Sequence, residues 1–195
     1  MNQIITKCSE FTLDDMKQLR KIEQYYYPGE LVSDPMLTFN WWKKNPYTLQ
    51  ALYDQQHYMI WSFTTLPVRD SLFEKFCSWT YKDTEIPVGE VLSYENNGIY
   101  NLYVCTISLH PDYKWKKGYL KYLCLLWIDQ LIMLYKERNV QIKTLFWDVI
   151  TADWQRFVEF LWMHRLSATQ HNSTIFVRHF KEYEEELQQL RTLFQ

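Results

Sequence analysis

YNLYVCTISLHPDYKWKKGYLKYLCLLWIDQLIMLYKER, residues 100–138, decides the fold, because an apolar strand there passes through a basic turn into the longest helix of the chain. Tyr103, Cys105, Ile107 and Leu109 alternate with Val104, Thr106 and Ser108, the period of a half-buried strand, in a run rich in β-branched and aromatic residues. His110 and Pro111 stop it. Lys114, Lys116 and Lys117 crowd the loop that follows, which closes on Gly118, one of 4 glycines in 195 residues. From Tyr119 the period turns helical. Leu120, Leu123, Trp127, Leu131 and Leu134 share one stripe, and Lys121, Asp129, Gln130 and Lys136 mark the wetter side.

Strand, cationic loop, glycine and helix outline an anion site. Unpaired amides in the first turn of a helix point at whatever sits there, the helix dipole favours negative charge, and glycine lets a phosphate approach the backbone. The three lysines add point charges. The spacing is neither that of a Walker loop nor the Gly-x-Gly-x-x-Gly of a dinucleotide fold.

The order HPDYKWKKGYLKYL resembles the acyl-CoA-binding segment of the GNAT acyltransferase superfamily, where a strand ends in a Pro-containing turn and an Arg/Gln-x-x-Gly-x-Gly/Ala loop opens a helix. The resemblance implies that Lys114, Lys116, Lys117, Gly118 and Tyr119 surround the CoA pyrophosphate, and that strand backbone at Ile107 and Leu109 pairs with the pantetheine arm. The sequence departs from the pattern at Trp115, in the Arg/Gln place, and at Leu120, where the second glycine stands. One inserted residue would bring Lys114 into the Arg/Gln place.

The implied fold is α/β, a mixed, mainly antiparallel sheet flanked by helices on both faces. It would span residues 1–180, with 181–195 as a C-terminal amphipathic helix. The implied activity is acyl transfer from acetyl-CoA or another acyl-CoA to an amine. Many members use a Tyr on the helix before the last strand as the acid, in Tyr-x-x-x-Gly-Phe; here the stretch is FLWMHRLSAT, with Leu161 or Trp162 at the Tyr place. The central strand carries no carboxylate from Ile99 to Pro111, so the family's Glu base is missing there too. Tyr103, His110 and Asp148 are the available substitutes. The alternative is a GNAT-fold binding or structural protein that has lost catalysis.

The rest of the chain agrees in order. A strand at Ile4 to Cys8 precedes a helix with capping-box spacing at Thr12 and Asp15 and an apolar stripe of Leu13, Met16, Leu19, Ile22 and Tyr26, ended by Pro28 and Gly29. Leu31 to Asn45 carries a turn signal at Asp34-Pro35; Tyr25, Tyr26, Tyr27, Trp41 and Trp42 are packing residues or walls of an acceptor pocket. Two strands, Thr48 to Tyr53 and His57 to Leu66, lead to a short helix around Leu72 to Trp79 capped by Asp70 or Ser71, then an excursion to Gly89. VLSYENNGIYNLYV reads as a hairpin around Asn97-Gly98. After the long helix come a strand at Thr144 to Ile150, a helix at Ala152 to Arg165, and a strand at Thr174 to Phe180. In the final segment Tyr183, Leu187, Leu190 and Phe194 share a helical stripe that packs on its own subunit or on a partner, as in a homodimer.

Composition sets the outer limits. The chain has 21 Lys and Arg against 23 Asp and Glu, a net charge of -2 that argues against a protein built mainly to bind nucleic acid. Cys8, Cys77, Cys105 and Cys124 lie far apart with no C-x-x-C pair, which fits reduced thiols and a cytoplasmic setting. The first residues, MNQIITKCSEF, offer neither a basic start nor an apolar core of signal-peptide length, so no export is expected, and Lys121, Asp129 and Gln130 break the long helix as a membrane span. No spacing of the five histidines resembles a metal site.

Overall fold

A computed structural model of the chain describes residues 5–7, 10–27, 32–78, 83–113, 118–168 and 173–195. Seven strands occur in it: β1 (Ile5–Lys7), β2 (Leu49–Tyr53), β3 (Met59–Val68), β4 (Ile99–Leu109), β5 (Gln141–Val149), β6 (His164–Ala168) and β7 (Thr174–His179). The helices are α1 (Leu13–Glu23), α2 (Pro35–Lys44), α3 (Asp70–Cys77), α4 (Tyr119–Arg138), α5 (Ala152–Phe160) and α6 (Tyr183–Leu193). The strands form one sheet in the order β1-β2-β3-β4-β5-β7-β6. Every neighbouring pair is antiparallel except β4 with β5, which is parallel. A parallel pair needs a long crossover, and α4 supplies it.

Helices cover both faces. On one, α1 lays Met16, Leu19 and Ile22 over Leu49, Ala51 and Met59, while Trp41 of α2 and Phe76 of α3 close over Leu66, Tyr103 and Phe146. On the other, α4, α5 and α6 bury Leu102, Val104, Leu145 and Trp147 beneath Leu123, Trp127, Val158 and Leu187. With cover on both sides, β3 is buried at all ten positions, so it cannot read as an alternating strand.

The α1 capping box forms as its spacing predicts. Asp15 N donates to Thr12 Oγ1 at 3.3 Å and Thr12 N to Asp15 Oδ2 at 2.6 Å. The helix ends at Glu23, before Pro28, and leaves Tyr25 and Tyr26 exposed. Asp34-Pro35, read as a turn, starts α2 instead: Asp34 Oδ1 accepts from Met36 N at 2.8 Å with Pro at the first helical position. Asp70 opens α3 without capping it; its carboxylate takes Asn101 Nδ2 and Lys143 Nζ, both at 2.8 Å.

Three expectations fail for identifiable reasons. A turn forms, with Gly98 N reaching Glu95 O at 3.1 Å and Asn97 at φ 58, but it is centred on Asn96-Asn97 rather than Asn97-Gly98, and no hairpin strand precedes it. β4 already has β3 on one side and β5 on the other, and among the described residues the upstream segment makes only the bridge Val68↔Val91. Gly98 is needed there because a Cβ would lie 2.2 Å from the Tyr100 hydroxyl, which donates to Ser93 O and accepts from Glu95 N.

The helix expected to run to Arg165 stops at Phe160, and His164–Ala168 becomes an edge strand. Trp162 takes φ 57, so Met163 N reaches Val158 O at 3.0 Å and Trp162 N reaches Glu159 O at 2.9 Å, a Schellman ending without glycine. The Arg178 guanidinium lies 5.1 Å from the Trp162 ring and donates to Leu161 O at 3.0 Å, holding the turn in place.

The third concerns β4 itself. Thr64 pairs with Thr106 but Thr65 pairs with Val104, so Cys105 is an extra residue, a bulge. The bulge changes the phase of the strand. Tyr103 and Cys105 pack in the cluster under α2 and α3, whereas Ile107 and Leu109 join Val104 on the α4 side. Simple alternation put all four of Tyr103, Cys105, Ile107 and Leu109 on one face.

Candidate active site at the parting of β4 and β5

β4 and β5 run together from Ile99↔Gln141 to Val104↔Trp147 and then part. Beyond that rung, among the described residues, Thr106 to Leu109 continue the ladder with Thr64 to Trp61 of β3, and Asp148 and Val149 continue theirs with Ile175 and Thr174 of β7. The outcome is a wedge with backbone edges on both walls. Ligands in open α/β sheets collect outside the carboxyl ends of strands where the connection changes direction. Here α4 starts at that same end.

Gly118 is the N-cap of α4, at φ 100 and ψ -18, with no side-chain cap, and the first turn carries no acidic residue. Tyr122 N bonds Gly118 O at 2.9 Å, so the amides of Tyr119, Leu120 and Lys121 have no partner in the helix. The space a Gly118 Cβ would take is open to 4 Å. Leu120, which replaces a glycine of the family pattern, is half-buried against the core on the α4 side. Lys114, Lys116 and Lys117, together with Trp115, lie outside the described residues.

The two faces of the wedge differ chemically. On the α4 side Ile107, Leu109, Trp147 and Val149 are apolar. On the α1 side Thr106, Ser108 and Asp148 follow the bulge and the β5 alternation. Thr106 Oγ1 and Ser108 Oγ are 2.9 Å apart, and Ser108 Oγ donates to Glu23 Oε1 at 3.4 Å. Glu23, the last residue of α1, is 8% exposed, so a carboxylate reaches β4 although the strand has none of its own. Sequence reading missed it because Glu23 sits in a helix 85 residues from Ser108.

Of the three substitutes seen in sequence, Tyr103 is fully buried and stacks on Phe76 with ring centroids 4.6 Å apart, away from the wedge. His110 ends β4; its Nδ1 lies 3.7 Å from Asp112 Oδ2, and its ring is 6.3 Å from Tyr25 and 5.9 Å from Tyr113. Asp148 stands at the first rung past the parting. Tyr113 donates to Asp54 Oδ2 at 3.1 Å, which fastens the turn after β4 to the β2–β3 connection. Partial burial, then the Asp54 bond and charge, push the Tyr113 hydroxyl up from its ordinary value. Leu161 is buried and Trp162 belongs to the α5 ending, so the stretch in which the resemblance implies an acid holds apolar side chains. A cavity of about 330 Å³ bounded by Lys44, Arg69, Ser93, Glu95 and Tyr100 shares no residue with the wedge.

Solved structures share this fold. The loading GNATL domain of CurA from Lyngbya majuscula superposes with a TM-score of 0.60 at 9% identity, over 91% of this chain and 98% of that one. The chain has the GNAT fold. A NatC complex bound to Gag peptide and CoA gives a TM-score of 0.60 at 9% identity, over 92% of this chain and 99% of that one. A GphF GNAT-like decarboxylase in complex with isobutyryl-CoA gives 0.56 at 8% identity, over 92% and 100%. No protein-family model and no curated protein sequence matches the chain. At these identities the GNAT fold is held by pattern and topology rather than by shared residues. Among the described residues no helix is long and apolar enough to cross a membrane, and no cluster of metal-ligating side chains occurs.

Proposed function

We propose that the chain transfers an acyl group, acetyl foremost, from acyl-CoA to an amine. The observation that carries this reading is the open wedge between β4 and β5 beside the uncapped start of α4. An extended arm bearing amides finds unpaired strand edge at Ile107 and Leu109, and a pyrophosphate finds the amides of Tyr119 and its successors. Gly118 lets the phosphate come close, and Lys114, Lys116 and Lys117 supply positive charge. Residues 1–180 form the transfer domain, and residues 181–195 brace it. Two of the similar structures hold CoA or isobutyryl-CoA, which supports the same class of ligand here.

In the reaction the wedge holds the thioester carbonyl against β4 amides while the amine arrives from the polar α1 side. Juxtaposing the two supplies much of the rate, and hydrogen bonds to the developing oxyanion supply more. The test is calorimetric titration with acetyl-CoA, followed by thiol release in the presence of a broad panel of amines. Saturable binding with amine-dependent thiol release is the expected result. A second reading has one observation behind it: the place where the resemblance expects an acid holds Leu161 or Trp162, and neither is an acid. Binding of acyl-CoA without acylation of any amine would establish that reading, a GNAT-fold binding protein.

A further inference from the structure

The α1 face of the wedge carries more polar groups than packing requires. Ser62 and Thr64 on β3 lie directly opposite Ser108 and Thr106 on β4, so four hydroxyls share one patch of sheet. Ser62 is 0% and Thr64 2% exposed, and neither hydroxyl has a hydrogen-bond partner among the described residues. A buried hydroxyl left unpaired carries its full desolvation penalty, so a purely structural role is better filled by Val or Ala. Above the patch sits the buried carboxylate of Glu23.

The hydroxyls are in line. Thr106 is half-buried at the parting of the strands, Ser108 is 2% exposed, and Glu23 lies behind it. Ser108 is the donor to Glu23, which leaves its oxygen to accept from Thr106 at 2.9 Å. Every link therefore points its proton toward the carboxylate. At 3.4 Å the last link is long, as links of this kind often are before a substrate arrives.

We infer that Thr106, Ser108 and Glu23 form a proton relay that drains the attacking amine, with Glu23 as the terminal acceptor. This rests on the acyl-transfer reading and names the base it lacked. The amine nitrogen bonds to the thioester carbonyl carbon, and its surplus proton passes to Thr106 Oγ1. The Thr106 hydroxyl proton moves to Ser108 Oγ, and the Ser108 proton to Glu23 Oε1. The C–S bond then breaks with its electron pair on sulfur, which takes a proton from solvent to leave as the free thiol. Glu23 returns its proton to solvent. The unpaired hydroxyls of Ser62 and Thr64 give the relay a polar floor that an ordered water can share.

The test uses the full chain with acetyl-CoA and the best amine of the panel. Glu23→Gln keeps the shape and the acceptor for Ser108 but cannot take a proton. Loss of a base is worth about 10²–10⁴ in rate, so kcat should fall at least 100-fold while acetyl-CoA affinity and melting temperature stay near wild type. Ser108→Ala should fall comparably, and Ser108→Thr, which restores the hydroxyl, should recover most of the rate. A merely structural role would move stability and KM rather than kcat and would not distinguish Thr from Ala in this way. If wild type acylates amines and Glu23→Gln does so at an undiminished rate, the relay is overturned; a loss confined to Asp148→Asn would pass the role to β5. A wild type that binds acetyl-CoA and acylates nothing overturns the acyl-transfer reading itself, and the relay with it.

Discussion

Arg178 Nη2 donates to Glu186 Oε2 at 2.8 Å, and this pair ties three elements together. Arg178 is 5% exposed on β7, reaches the end of α5 through Leu161 O, and is flanked by the rings of Trp162 and Phe180 at 5.1 and 4.9 Å. Glu186 also accepts Lys181 N and Glu182 N, so it holds the start of α6 as well as the arginine. The apolar stripe of α6, with Leu187 0% and Leu190 1% exposed, is covered within this chain. Glu186→Ala strands a buried guanidinium and should lower unfolding free energy by about 3 kcal/mol. Urea denaturation with and without the change measures it.

The same pair predicts acid sensitivity. Burial pulls the Glu186 carboxyl upward, but the Arg178 bond, the two amides and the arginine charge outweigh it and set it below the usual value. Its folded pKa is thus lower than its unfolded one, about 4.3. Its contribution is complete above that unfolded value and fades as pH falls through the folded one. In Glu186→Gln that increment is missing throughout, so the melting temperatures of variant and wild type should converge as pH falls below the ordinary carboxylate range.

Gly118→Asp puts a side chain and a negative charge where α4 begins, at a φ of 100 that L residues rarely adopt. Acetyl-CoA affinity should drop at least tenfold, about 1.4 kcal/mol, in calorimetry. An affinity equal to wild type in a folded variant would remove this turn from the binding site.

Thiol chemistry should separate the cysteines. Burial pushes the Cys124 thiol up to about 12, while Cys77 is half-buried and raised by burial and by Glu74. Only the thiolate reacts, so at pH 8 a maleimide should mark Cys77 in the native chain and Cys124 only in denaturant. Peptide mapping by mass spectrometry reads both.

Deleting a residue from a strand normally turns every later side chain to the wrong face. Removal of Cys105 is the exception, because it is the bulged residue and the faces of Val104, Ile107 and Leu109 are already those of an uninterrupted ladder without it. The deletion should therefore fold, melting within a few degrees of wild type, whereas deletion of Leu102 should not. Straightened, β4 would follow β5 further. Acetyl-CoA affinity should be lost although the fold survives, and calorimetry on the purified deletion variant checks it.

What was legible in the sequence is what local rules govern. The Thr12–Asp15 box, the β4-loop-α4 passage and the stripe of α6 each depend on residues within a turn or two of one another. The bulge at Cys105 was not legible, because an extra residue has no signature in a run that is apolar on both sides. Nor was the end of α5, where a tryptophan takes the position usually given to glycine and an arginine 16 residues further on, Arg178, secures it. The site divides the same way. Gly118 and the edge of β4 follow from the order of elements, but Glu23 reaches Ser108 only through the packing of α1 on the sheet, which no spacing encodes.

An interior strand that keeps a free edge should betray itself in the exchange of its amide protons. Along Thr106 to Leu109 successive amides point alternately toward β3 and into the wedge. Those facing β3 are locked in the ladder; the others have no strand partner among the described residues. The far end of β4 should consequently exchange deuterium in a two-residue rhythm, fast and slow within one strand, while Leu102 to Val104 stay slow throughout. An extended molecule laid against that edge would erase the rhythm. Exchange therefore offers a way to search for the natural ligand of this chain without assuming any reaction at all.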